Sequence, residues 1–154
     1  MIESSSALFW GAVTLFAGSA VGAVVQDARY RKVSDFFVLG IVASGMLYNA
    51  AISDRDHVQM VYSVGLAIVI IFVPALIFFL MSRRSGMGIA DFGLAISLSL
   101  WLRPSAVPIA ILAAVAVTGL VAIMIRARPS ERIPFAPGLV AGYSGTWVFG
   151  ALLQ

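Results

Sequence analysis

Cysteine is absent from this chain, which excludes disulfides, thiolate zinc sites and a cysteine nucleophile. Charge is scarce as well. Only 11% of the residues are Asp, Glu, Lys or Arg, against about 25% in a soluble domain. Histidine occurs once, at His57, within the polar stretch 53–57, where a solvated loop residue is the ordinary reading. No metal site and no cofactor are expected. The net charge of +3 gives no reason to expect nucleic acid, because basic flanks beside apolar runs are what the positive-inside rule requires. Such flanks also attract anionic lipid headgroups. Internal repeats and low-complexity tracts are missing. So are the ten-residue alternating stretches that mark a membrane β-barrel.

What fills the chain instead is apolar sequence, 61% of the residues. A membrane span takes about 20 mostly apolar residues to cross roughly 30 Å of hydrocarbon. Six apolar segments fall at 7–25, 35–52, 61–81, 89–102, 106–125 and 137–153. Little length remains outside them. The expectation is an all-α membrane protein, one domain over 1–154, built as a polytopic bundle of six transmembrane helices. The fourth segment is short and ends sharply at Arg103 and Pro104. Irregular backbone there is acceptable only where protein or a water-filled cavity surrounds it.

The flanks set the orientation. A signal peptide carries basic residues ahead of its apolar run; here Glu3 precedes the first run while Arg29, Arg31 and Lys32 follow it. A retained span with its N-terminus outside is expected. Six spans then put loops 26–34, 82–88 and 126–136 in the cytoplasm, together with Arg29, Arg31, Lys32, Arg83, Arg84, Arg126, Arg128 and Arg132. That is eight of the ten basic residues, and it places the C-terminus outside as well. Gly18 and Gly22 have small-xxx-small spacing, expected to serve close packing within the bundle.

Against this background, two of the seven acidic residues, Asp27 and Asp91, stand at the cytoplasmic edges of the first and fourth segments. A carboxylate beside hydrocarbon is costly to keep and marks a functional site by default. Two that meet share a proton, so that one activates water while the other polarises a carbonyl. The bland readings stay open at this point: Asp27 paired with Arg29 or Arg31 in a solvated loop, and Asp91 placed in a first helical turn to suit the helix dipole.

The surrounding residues resemble a family. Asp27 to Asp35 (DARYRKVSD) is similar to the D-x-R-x-x-x-I-P-N segment of type IV prepilin leader peptidases. Gly86 to Leu94 (GMGIADFGL) resembles their G-M-G-x-G-D-x-x-L stretch, which holds the GxGD signature. Arg132 to Gly138 (RIPFAPG) resembles their late I-P-F-G-P segment, and the three occur in the family's order. The resemblance implies a membrane aspartyl peptidase of the bacterial inner membrane that removes the leader of prepilins or pseudopilins at the cytoplasmic face. It maps the catalytic pair onto Asp27 and Asp91, with Gly86, Gly88 and Ala90 forming the loop that approaches the substrate backbone. Larger members carry a cysteine-rich zinc segment and methylate the new pilin terminus. This cysteine-free chain resembles the minimal form of tight-adherence (Flp) pilus systems, and methylation is not expected of it.

Departures from the pattern matter. Ala90 stands where the signature has glycine, Gly93 where many members have lysine, and Ser34 with Asp35 where they have Pro-Asn. Ala90 is strained if that position needs positive φ and harmless if it is helical. Asp35 adds a third carboxylate near the first motif. Two rival readings accompany the peptidase: an inactive pilus-assembly homologue, and a small ion- or proton-coupled transporter subunit. The sequence leaves the oligomeric state open.

Overall fold

A computed structural model of the chain describes residues 2–30, 32–52, 57–82, 89–125 and 135–152. Among these residues lie six α-helices and no strand. They are α1 Ile2–Tyr30, α2 Asp35–Ala51, α3 His57–Ser82, α4 Ile89–Ser99, α5 Val107–Met124 and α6 Ala136–Leu152. The helices match the six apolar segments in number and order. Helical stretches Ser6–Tyr30 and Pro104–Met124 are long and apolar enough to cross a membrane. His57 opens α3 and is exposed.

Two helix ends need comment. Apolar sequence stops at Val25, and a loop is expected from residue 26, yet α1 runs on to Tyr30. Nothing between Gln26 and Arg29 breaks a helix, and Arg29 in the last turn suits the negative end of the helix dipole. Ser34 then caps α2, its Oγ accepting from the Phe36 N–H at 3.3 Å.

α4 has only 11 residues, about 16 Å of helix against roughly 30 Å of hydrocarbon. Beyond Ser99 the chain continues through Leu100, Trp101 and Leu102, all buried. Their irregular backbone is enclosed by protein, as such backbone must be. Asn49 Nδ2 of α2 donates to the Leu100 carbonyl at 2.9 Å and to the Gly45 carbonyl at 2.7 Å. Ser63 Oγ of α3 donates to the Leu102 carbonyl at 2.8 Å. A single 3₁₀ turn, Pro104–Ala106, leads into α5.

Side-chain-poor seams bring the helices together. α1 and α2 pack antiparallel, with Gly22 against the Phe37 ring and Gly40 against Ser19. The expected pairing of Gly18 with Gly22 therefore divides. A Cβ at Gly18 would meet nothing within 4 Å, because that position faces away from the seam. α2 and α4 run parallel, with Gly93 beside Val38 and Gly45 beside Leu100. The tightest seam joins α5 and α6. There Gly138 and Gly142 lie on Ala110, Ala114 and Thr118, so close that a Cβ at Gly142 would stand 2.5 Å from the Ala114 nitrogen. α4 packs against α2, α3 and α6, and α1 also touches α6.

The bundle has two unlike ends. At one, Tyr48 stacks on Trp101 at 4.5 Å between ring centroids, with Phe16 and Trp147 around them. Trp147 Nε1 donates to the Tyr48 hydroxyl at 3.0 Å. The other end carries the close of α1 and the starts of α2, α4 and α6. It holds both aspartates.

Candidate active site

Asp27 lies on the last full turn of α1 and is only 5% exposed. Its Oδ2 accepts a hydrogen bond from the Ala136 N–H at 2.9 Å. Ala136 is the first residue of α6, where backbone N–H groups have no partner inside the helix. The carboxylate thus meets the positive end of the α6 dipole. This overturns the solvated-loop reading of Asp27, since the residue is helical, buried and bonded across the bundle, while Arg29 is exposed. The preceding residue, Gln26, accepts from the Ser34 N–H at 2.7 Å. That bond ties the same turn of α1 to the start of α2.

Asp35, the third carboxylate near this motif, is exposed in the first turn of α2. There it suits the helix dipole and faces away from the core. Asp91 is half-buried in the first turn of α4. Ala90 is the second residue of the same helix rather than part of a loop before it. Alanine is favoured there over glycine, and positive-φ strain does not arise. Gly93 faces Val38 of α2 at 3.4 Å from an ideal Cβ. Gly86 and Gly88 lie outside the described residues, as do Arg31, the basic residues of the expected second and third cytoplasmic loops, and Arg132 to Pro134.

Packing register puts the two aspartates at similar depth. Gly22 and Phe37 align α1 with α2, while Val38 and Gly93 align α2 with α4. Followed along these contacts, Asp91 is about one helical turn, roughly 6 Å, from the level of Asp27. A second route uses α6. Leu98 and Tyr143 line one small cavity, and the rings of Trp101 and Trp147 meet at 5.5 Å. α4 and α6 therefore run in the same direction, and α6 begins at the end that holds Asp27. Both aspartates also border one core. Ala23 and Ala136 beside Asp27, and Leu94 and Ala95 a turn beyond Asp91, belong to a single buried cluster. The cavity itself lies at the aromatic end, away from this chemistry.

Sequence reasoning picked out Asp27 and Asp91 but missed the residues that hold the first of them. The bond from Ala136 uses a backbone group and leaves no mark on residue type. The late motif resembles the family's, but its residue types alone assign no role to Ala136. Gln26 had a signal, a lone amide at the end of an apolar run. Among the described residues, no group of His, Asp or Glu has the arrangement of a metal site.

The sequence model of the type IV leader peptidase family matches residues 12–123. That span covers Asp27 and Asp91 and stops before the late motif. No curated protein and no solved structure matches the chain. A family match across most of the sequence, on an all-helical fold with membrane-length helices, settles the wider kinship: the chain belongs to the type IV leader peptidase family, whose members are membrane-embedded prepilin peptidases.

Proposed function

We propose that this chain is an aspartyl endopeptidase of the bacterial inner membrane that cleaves the leader of a Flp-type prepilin at the cytoplasmic face. Asp27 and Asp91 form its dyad, and the six-helix bundle crosses the membrane with both termini outside, the short α4 completing its crossing through the enclosed turn Leu100 to Leu102. The observation that carries the reading is the setting of Asp27. It is a carboxylate 5% exposed, costly to bury, with one backbone N–H against it. Capping α6 does not by itself require a charge, because serine or asparagine caps a helix as well as aspartate.

The chemistry follows from two acids holding one proton. The ionised member takes a proton from water as the water oxygen bonds to the scissile carbonyl carbon. The protonated member donates to the carbonyl oxygen. Collapse of the tetrahedral intermediate breaks the C–N bond: the departing amine takes the proton that the first member drew from water, and one hydroxyl returns its proton to the second member. The pair titrates as a unit. The prepilin's apolar helix lies in the bilayer, so its leader junction reaches the water at the edge where the aspartates lie.

The test is reconstitution in lipid with a Flp-type prepilin, with the processed pilin read by mass spectrometry. The parent chain cuts, and Asp27→Asn and Asp91→Ala do not. Asp27→Asn is informative because it keeps an oxygen for the Ala136 N–H and removes only the charge. Full cleavage by either variant rules out the dyad. A parent that binds prepilin and leaves it intact is an assembly factor instead.

A further inference from the structure

We propose that the start of α6 is the positioning element of Asp27: the Ala136 N–H fixes the Asp27 carboxylate in its productive orientation. This rests on the reading of Asp27 and Asp91 as the catalytic pair. The segment 135–138 then serves the reaction through Asp27.

Ala136 is fully buried, and Asp27 nearly so, so the 2.9 Å bond between them is sheltered from competing water. A carboxylate turns freely about its last torsion unless one oxygen is held. Here Oδ2 is held. The donor sits on a rigid mount, because Gly138 and Gly142 seat α6 on the α5 backbone just beyond it. The Phe135 carbonyl accepts from the Leu139 N–H at 3.0 Å and closes the first turn of α6. The backbone of Asp27 is tied down independently by the Gln26 bond to the Ser34 N–H. Hydrolysis by a dyad is sensitive to such placement: an error of about 1 Å costs roughly 100-fold in rate.

The experiment removes the donor and keeps the helix. Proline is well tolerated at the first helical position, where its missing N–H has no helical partner to lose. Ala136→Pro deletes the donor, whereas Ala136→Gly deletes only the methyl group. Cleavage of the prepilin is measured for the parent, both variants and Asp27→Ala. With Ala136→Pro, kcat falls by about tenfold or more while KM stays near the parent value; Ala136→Gly stays close to the parent in both. Ala136→Pro at the parent kcat overturns the inference, as does an equal loss in the glycine variant, which points to packing alone. If the parent cuts nothing, the peptidase reading fails and the inference falls with it. A second measurement needs no proline. Amide exchange at Ala136 is slow in the parent and rises at least about tenfold in Asp27→Ala, because Asp27 supplies that amide's bond. Equal exchange in the two proteins overturns the inference even if Ala136→Pro does not fold.

Discussion

Gly142→Ala tests the tightest seam in the bundle. The added Cβ would stand 2.5 Å from the Ala114 nitrogen, 2.7 Å from the Ala110 carbonyl oxygen and 2.8 Å from Ala114 Cα. All three are backbone atoms of α5, so no rotamer change relieves them. Restoring ordinary contact separates the helices by on the order of 1 Å, and a gap of that size forfeits a quarter to a half of the local dispersion attraction. Overpacking of this kind costs about 1–3 kcal/mol. Glycine to alanine within a helix also gains up to about 1 kcal/mol of propensity, which would mask part of the loss. Gly145→Ala cancels that term. Its Cβ meets nothing within 4 Å on the same helix, so the difference between the two alanines isolates the clash, at about 1–3 kcal/mol. Equilibrium unfolding in mixed detergent micelles measures it. Gly142→Ala is less stable than Gly145→Ala, and Ala114→Gly does not rescue it because the obstructing atoms are main chain. Equal stability of the two single variants refutes the close α5–α6 approach.

Two further substitutions examine α4. Asn49→Ala removes the amide that donates to the Gly45 and Leu100 carbonyls; a loss of about 1–3 kcal/mol is expected in the same unfolding assay, and no loss would argue against the enclosed turn. Ala90→Gly leaves cleavage no faster than in the parent, since Ala90 is helical and glycine there relieves no strain; a faster glycine variant in the prepilin assay would contradict the helical assignment.

Much of the fold was legible because lipid leaves the backbone one choice. Six apolar runs were expected as helices, and six α-helices stand at them among the described residues. The depth reached by each end was less legible. α1 passes its apolar limit by five residues, Gln26 to Tyr30, because helix formation continues wherever no residue opposes it, whether or not the side chains are apolar. Spacing also misled at the glycines. Gly18 and Gly22 share the separation of Gly138 and Gly142, but only the later pair lies wholly on a seam. One sequence cannot say which face of an apolar helix meets protein. The facing series Ala110, Ala114 and Thr118 on α5, repeating every four residues, was the available clue. At the site, charge made Asp27 and Asp91 conspicuous, and burial then separated Asp27 from the exposed Asp35.

The short α4 links the two ends of the molecule. A helix of full span sets its own depth by matching hydrocarbon thickness; one of 11 residues does not. Its position has to come from contacts, and those just beyond its far end are hydrogen bonds and stacked rings. There Asn49 and Ser63 hold the Leu100 and Leu102 carbonyls, and Tyr48 and Trp147 hold the Trp101 ring. A rigid helix carries that placement back along eight residues to Asp91, about 12 Å away. The aromatic end, which holds no candidate catalytic group, therefore sets the height at which Asp91 sits. The α6 start does the same for Asp27 through Ala136. The two acids are thus positioned by separate devices, and the common element is α6, which contacts both α1 and α4.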